Sequence, residues 1–368
     1  MTRTATQALT LEAGAGHVTV AGLTADEARL IRDQWSRCDP REAAANDTAD
    51  LTRQPDEDWT LFHERLVYQA TSAAITASRG HALMLHAAAL ALPDTGATLA
   101  LTAPSGTGKT TATRVLGQHL AYLTDETTIV DPETLDLTPY PKPLSILGPS
   151  RARPKTQHSP DDLQLGAAVP ARLSRVALLD RVRDAEADGT ARAEPLPLED
   201  VLSALVPQSS SLSRLPRGLV TLCRVLDELG GGLRLIYREA DDLLPLVEGL
   251  LASPPEPITT PAWTALDAEQ LQPSRVDSDA ESAAVRYGRR RADDGMMLDD
   301  GRTVLLRDTT LTVLDGVGPA LWDALAHAGT ASDVVGRLTE HGPVPDDAAE
   351  RVQAALDGMV ERGLVDAL

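Results

Sequence analysis

The sequence predicts an α/β protein with a core built around a phosphate-binding loop. A small winged-helix-like module, a β-sheet plus three helices, follows it. Three observations carry this. Between 98 and 118 an apolar strand runs into a glycine-rich loop that ends in Gly-Lys-Thr and opens a helix. Around it, short apolar runs bounded by turn residues alternate with segments of helical period, the pattern of strands interleaved with helices. At 253–261 the run Ser-Pro-Pro-Glu-Pro-Ile-Thr-Thr-Pro breaks the pattern, and two short strands then precede three short helices. The 368 residues suffice for two or three domains. We expect an N-terminal accessory segment at 1–82, the core at 83–252, a proline-rich linker at 253–282 and the module at 283–368.

The elements follow in order. Residues 18–20 read as a short strand. Residues 25–35 read as a helix with Ala28, Leu30, Ile31 and Trp35 near one face. The polar, acidic stretch 39–58 reads as a loop and 61–77 as a helix. Residues 83–92 read as one strand closed by Pro93-Asp-Thr-Gly96, and 98–102 as a second strand. A helix at 109–118 follows the glycine-rich loop, then short strands at 119–123, 127–130, 135–138 and 144–147. Pro139-Tyr-Pro-Lys-Pro143 must be extended, since proline and the residue before it resist helix. Residues 151–166 read as a polar loop and 175–180 as a buried strand. Helices are expected at 198–205, 215–229 and 241–251, with a strand at 231–237. Past the linker, 277–281 extends the break. Strands are expected at 303–307 and 310–314, and helices at 318–326, 331–340 and 346–361. The last carries Val352, Ala355, Leu356, Met359 and Val360 on one face.

Composition excludes several function classes. The formal net charge is −20, a poor match for a polyanionic backbone, so no nucleic acid is expected as partner. No apolar run approaches the ~20 residues of a membrane span, and the start Met1-Thr-Arg-Thr-Ala-Thr-Gln7 has no apolar stretch of a signal peptide. We therefore expect a cytoplasmic protein with no membrane partner. Cys38 and Cys223 match no metal spacing. Only three of the 34 basic residues are lysine, at 109, 142 and 155.

Ala103-Pro-Ser-Gly-Thr-Gly-Lys-Thr-Thr111 nearly matches the pattern G-x-x-x-x-G-K-[ST], with Ala103 in the first glycine's place. Backbone N–H groups of such a loop curl around a phosphate, and the following helix turns its positive end to the same group. The pattern assigns Ser105, Gly106, Thr107, Gly108, Lys109, Thr110 and Thr111 to ATP binding. Lys109 would reach the β- and γ-phosphates, and Thr110 would offer its hydroxyl to Mg2+. In a chain that otherwise uses arginine, a lysine here suits a phosphate cradle that takes a slender point charge.

Soon after comes Tyr122-Leu-Thr-Asp-Glu126. An acidic pair at a strand end would sit beside the γ-phosphate. One carboxylate would hold Mg2+ and the other would orient or deprotonate an attacking hydroxyl. A solvated strand end is the alternative. His86 lies on the strand before the loop's own strand, where it would orient an acidic residue or be a satisfied core histidine.

Three segments in order, Leu85-His-Ala-Ala-Ala-Leu-Ala-Leu92, Leu101-Thr-Ala-Pro-Ser-Gly-Thr-Gly-Lys-Thr110 and Tyr122-Leu-Thr-Asp-Glu126, resemble the catalytic core of bacterial HPr kinase/phosphorylase and its relatives. The resemblance covers mainly 83–148 and more loosely extends to about 250. It implies a P-loop kinase core of HPr-kinase type that phosphorylates a serine hydroxyl. By this resemblance the catalytic residues are Asp125, Glu126 and His86, and Thr110 with Glu126 holds the metal. The family's second aspartate is here Glu126. Pro139-Tyr-Pro-Lys-Pro-Leu-Ser145 resembles a segment of diverged relatives found with peptide-modifying clusters. Lys142 within it is either a surface charge or a group facing substrate or phosphate.

Residues 283–368 resemble the PqqD-like family of peptide-recognition domains. The carrying residues are Met297-Leu-Asp-Asp-Gly-Arg-Thr-Val-Leu-Leu306, Leu311-Thr-Val-Leu314, Ala320-Leu-Trp-Asp-Ala-Leu325 and Leu356-Asp-Gly-Met-Val-Glu-Arg-Gly-Leu-Val365. The resemblance implies that a precursor's leader peptide binds as an added strand on a sheet edge. Arg286, Arg289, Arg290, Arg291 and Arg302 form a basic run that would meet an acidic leader or stay solvated. The combined expectation is an ATP- and Mg2+-dependent phosphotransferase acting on a ribosomally made precursor peptide. The alternatives are a nucleotide-gated peptide chaperone without phosphotransfer and a kinase for a small hydroxylated metabolite. Association into a homo-oligomer stays open.

Overall fold

The computed structural model describes residues 6–44, 46–104, 107–148, 153–182, 191–276, 284–340, 342 and 345–368. The expected break at 277–281 and two loop residues, Ser105 and Gly106, lie outside the described residues.

The chain starts with a hairpin of β1 (Gln7–Ala13) and β2 (Gly16–Leu23). Alternating Leu9, Leu11, Ala13, Val18 and Val20 are buried, the period-two signature of a half-buried strand pair. Helix α1 (Ala25–Gln34) begins in a capping box, with the Thr24 side chain accepting from Glu27 N and the Glu27 carboxylate from Thr24 N. Ala28, Ile31 and Trp35 face inward, whereas Leu30 is turned to solvent. Two positions from Ala28 is the opposite side of a helix, so Leu30 does not share the face expected of it. Strands β3 (Arg41–Glu42) and β4 (Leu51–Thr52) extend the sheet in the order β3-β1-β2-β4, inside the expected loop 39–58. At two residues each they are too short to show a period. Helix α2 (Trp59–Ser78) buries Phe62, His63, Leu66, Val67, Ala70 and Ala74 against this sheet. Its approach is so close that a Cβ on Gly16 would stand 2.7 Å from the Ala73 carbonyl oxygen.

His63 is buried, and its Nε2 accepts a 2.7 Å hydrogen bond from Trp35 Nε1. Burial, reinforced by the Lys142 charge, pushes its pKa from 6.5 down to about 3. Between these values the unfolded chain holds the extra proton. The contribution of His63 to stability is therefore complete above pH 6.5 and falls by about 1.4 kcal/mol per pH unit as pH drops toward 3. His63→Gln keeps an acceptor for Trp35 but does not titrate. Its urea midpoints between pH 7 and pH 4 are expected to fall less steeply than those of the parent protein, and equal slopes would refute this assignment.

The expected single strand 83–92 is two strands, β5 (Leu83–Leu85) and β6 (Ala88–Ala91), which enter different sheets. After β7 (Ala97–Thr102) and α3 (Lys109–Gly117), strands β8 (Ala121–Thr124) and β9 (Thr128–Val130) divide in the same way. Strands β10 (Leu137–Thr138) and β11 (Leu144–Ile146) follow, and β12 (Thr156–His158) pairs with β11 inside the expected loop 151–166. Then come β13 (Arg172–Arg181), β14 (Arg192–Leu196), α4 (Leu198–Leu205), α5 (Gly218–Glu228), β15 (Gly232–Tyr237) and α6 (Leu243–Ala252). The main sheet runs β14-β15-β13-β7-β6-β8. Its centre, β15-β13-β7, is parallel; β14 runs antiparallel to β15 and β6 antiparallel to β7, while β8, antiparallel to β6, runs in the direction of the centre. Strand β7 is covered on both faces, which explains its near-continuous apolar run. A second sheet runs β10-β9-β5. Its Met84 and Ile129, together with Tyr140, share one core with Leu9, Phe62 and Leu66 of the first 82 residues.

The chain divides into two compact units, Met1–Leu215 with Arg224–Ile258 and Pro216–Cys223 with Thr259–Leu368. In the second, β16 (Trp263–Ala265), β18 (Asp294–Leu298), β19 (Thr303–Arg307) and β20 (Thr310–Leu314) form an antiparallel sheet in that order. Strand β17 (Tyr287–Arg289) pairs with β21 (Val365–Ala367). Helices α7 (Gly318–Ala324), α8 (Ala331–Thr339) and α9 (Ala348–Glu361) close the core on Trp322, Val334, Val352, Leu356 and Met359. Three arginines of the basic run are engaged within the unit. Arg289 is buried over Trp322 and donates to the carbonyls of Gln272, Trp322 and Glu269, while Arg290 pairs with Asp366 and Arg302 with Asp300. Among the described residues no helix is long and apolar enough to cross a membrane.

Candidate nucleotide site and its acidic pair

Strand β7 delivers the loop and α3 opens immediately after it. Gly108 sits at φ +109°, a conformation that side chains rarely adopt, and an added Cβ would stand 3.2 Å from the Tyr237 hydroxyl. Thr107 turns back on the loop, its backbone N–H and its hydroxyl both donating to the Pro104 carbonyl. Lys109, Thr110 and Thr111 form the first turn of α3, whose N–H groups have no intrahelical acceptor. Lys109 Nζ lies 3.3 Å from the Asp125 carbonyl oxygen and 3.4 Å from that of His86.

The two strand breaks explain why residues so distant in sequence meet here. Strands β6 and β8 pair in the main sheet, and β5 and β9 pair in the second. The crossing points are His86–Ala87 on one arm and Asp125–Thr127 on the other. The Thr128 hydroxyl ties them by donating to the Ala87 carbonyl. Thr124 Oγ1 accepts from the N–H groups of Glu126 and Thr127, which turns the β8 end sharply, with Asp125 buried and Glu126 half-buried.

Lys142 is the unforeseen member. It is 0% exposed, where a surface lysine was one of two expectations. Its Nζ stands 2.8 Å from Asp125 Oδ1, 3.0 Å from Glu126 Oε2 and 3.1 Å from the Pro143 carbonyl oxygen. The Tyr122 hydroxyl lies 3.1 Å from Asp125 Oδ1 and 3.0 Å from the Lys142 carbonyl oxygen, so its single proton serves one or the other. Burial works against the Lys142 charge, yet the two carboxylates raise its pKa above the usual lysine value. Burial likewise pushes Glu126 up, but Lys142, His86 and Lys109 outweigh it and hold the carboxyl below its ordinary value. Lys109 goes the other way. Burial lowers it, the carboxylates only partly restore it, Lys142 and Lys155 lower it further, and it settles at about 8. Lys109 and Lys142 thus stand in one site, and the Lys155 charge is felt at Lys109.

The His86 ring is exposed and has no hydrogen-bond partner among the described residues. Partial desolvation and the Lys109 charge lower its pKa. The structure brings its backbone carbonyl, rather than its ring, to Lys109.

The residues fit a hard cation that arrives with nucleotide phosphates. The Thr110 hydroxyl has no partner among the described residues, and the Glu126 side chain is 30% exposed with only Oε2 engaged by Lys142. They do not form a complete protein cage, since no group of three His, Cys, Asp or Glu converges among the described residues.

The fold and site therefore define a mixed α/β unit with a lysine-clamped acidic pair beside the start of a helix, on a chain that also carries a small sheet-and-helix unit. Residues 302–365 of that second unit match the family model of coenzyme PQQ synthesis protein D (PqqD). The structure of the HPr(Ser) kinase/phosphatase from Coxiella burnetii is similar over 46% of this chain and 93% of that one, at 14% identity and a TM-score of 0.25. A likeness at that score says nothing about activity. No curated protein matches the chain.

Proposed function

We propose that the protein is an ATP- and Mg2+-dependent kinase that phosphorylates a hydroxyl, a serine by family resemblance, of a ribosomally made precursor peptide. The observation that carries the reading is the placement of an acidic pair beside the lysine of a phosphate loop, Lys109 Nζ being 3.3 Å from the Asp125 carbonyl. The N–H groups of α3 and Lys109 would hold the β- and γ-phosphates. Thr110 and the free oxygen of Glu126 would hold Mg2+, which supplies charge neutralisation between the phosphates. Asp125 would orient the acceptor hydroxyl and take its proton as the new O–P bond forms. The bond from the γ-phosphorus to the bridging oxygen breaks, and ADP leaves. Catalysis is by positioning and charge neutralisation, with no covalent enzyme intermediate.

The match of residues 302–365 to PqqD supports recruitment of the substrate through its leader. Strand β20 lies at one end of its sheet and offers an edge for an added peptide strand. Tethering raises the local concentration of the acceptor segment to roughly millimolar. Removing the leader from the peptide is therefore expected to raise KM by about 10²-fold or more while kcat changes little. The primary test is mass spectrometry of precursor peptides encoded beside this protein, after incubation with the full chain and Mg-ATP. The expected result is a gain of one phosphoryl group. A peptide that binds but keeps its mass would replace this reading with the chaperone.

A further inference from the structure

Lys142 is enclosed in a manner unusual for a lysine. Its ammonium has three N–H donors, and three acceptors surround it: Asp125 Oδ1, Glu126 Oε2 and the Pro143 carbonyl. Nothing of the side chain reaches solvent. The segment that carries it is fixed from both sides. Tyr140 N donates to the Leu123 carbonyl, Lys142 N donates to the Tyr140 carbonyl, and β11 begins two residues on. A buried ammonium between two carboxylates occupies the position in which two acidic groups side by side would otherwise collect a divalent ion.

We propose that Lys142 is a resident cation of this site, filling the place of a second divalent metal, so that the protein works with the single divalent ion that accompanies the nucleotide. The clamp takes Asp125 Oδ1 and Glu126 Oε2. Asp125 Oδ2 is left for the acceptor and Glu126 Oε1 for the nucleotide's metal. Lys142 thus acts as a positioning residue. An ammonium cannot dissociate from the site, so the acidic pair keeps its geometry when metal and nucleotide are absent. The inference rests on the kinase reading for its meaning, but its readout requires no phosphoryl transfer.

Mn2+ counted by electron paramagnetic resonance provides the test, on the full chain with and without a non-hydrolysable ATP analogue. The native protein is expected to hold no Mn2+ tightly alone and one with the analogue. Lys142→Met is expected to gain one ion without nucleotide, and Lys142→Met combined with Asp125→Asn to lose that gain. A second Mn2+ in the native nucleotide complex overturns the proposal, as does a folded Lys142→Met that gains none. If Lys142→Met does not fold, the native count decides alone, one ion supporting the proposal and two overturning it. A native count of zero with the analogue would sink the metal assignment of the kinase reading, and the ion gained by Lys142→Met would still report on Lys142.

Discussion

Lys109→Met is expected to lower kcat/KM for peptide phosphorylation by roughly a thousandfold, about 4 kcal/mol of transition-state stabilisation, while raising the melting temperature. The two effects share one cause. Lys109 is largely buried, and its pKa falls from 10.5 to about 8 because burial outweighs the help of Asp125 and Glu126, with Lys142 and Lys155 adding repulsion. A lysine whose pKa is lowered on folding opposes folding while it is charged. At pH 7 that cost is present in full, and it disappears only as pH rises from about 8 to 10.5. Methionine removes it, so a gain on the order of 2 kcal/mol in stability at pH 7 is expected. In the proposed kinase, the γ-phosphate would supply the missing counter-charge when nucleotide binds. Lys109→Arg is expected to lose nearly as much activity, since the ammonium fits between two backbone carbonyls and a planar guanidinium does not. Steady-state kinetics paired with thermal melts checks both parts. Loss of activity with a lowered melting temperature would instead assign Lys109 to structure.

Lys142→Met is expected to act in the opposite way, destabilising the first unit by about 3–5 kcal/mol. Removing the ammonium leaves Asp125 and Glu126 side by side without their common counter-charge. It also leaves the Pro143 carbonyl without its donor. The loss comes from stranding charges rather than from a strong native pair, because desolvation offsets much of the attraction in any buried ion pair. Adding Asp125→Asn and Glu126→Gln to Lys142→Met is therefore expected to recover at least half of the lost stability, with activity still absent. Urea midpoints of the single and triple variants measure this. A triple variant no more stable than Lys142→Met would show that packing, rather than charge, sets the cost.

Local features of the site and fold were legible because they are written in contiguous residues. Thr107 to Thr111 carries its own geometry: Gly108 supplies the positive φ, and the helix it opens supplies unpaired N–H groups. The apolar run of β7 and the turn after β6 likewise follow from composition and period. The short strands β3, β4 and β12 were not legible, since two or three residues show no period and gain their pairing from a neighbour. The 83–92 run illustrates the same limit. Its apolar pattern is continuous, yet Leu83–Leu85 and Ala88–Ala91 pair with different partners, and pairing set the break at His86–Ala87.

By itself, the sequence determined the glycine-rich Gly-Lys-Thr loop motif, the adjacent acidic residues and the unusual placement of three lysines in an arginine-rich chain. It did not determine what those lysines do. Lys142 lies 16 residues past Glu126 in a proline-flanked segment that reads either as surface or as facing substrate or phosphate. Only the folded ribbon, which carries that segment back beside β8, removes it from water and sets it against both carboxylates. Likewise Arg289, Arg290 and Arg302 read as members of a patch, but in the fold backbone carbonyls and two aspartates engage them. The reason is the same in both cases. A charge's role depends on its distance from other charges and from solvent, and for groups far apart in the chain only the tertiary fold sets those distances.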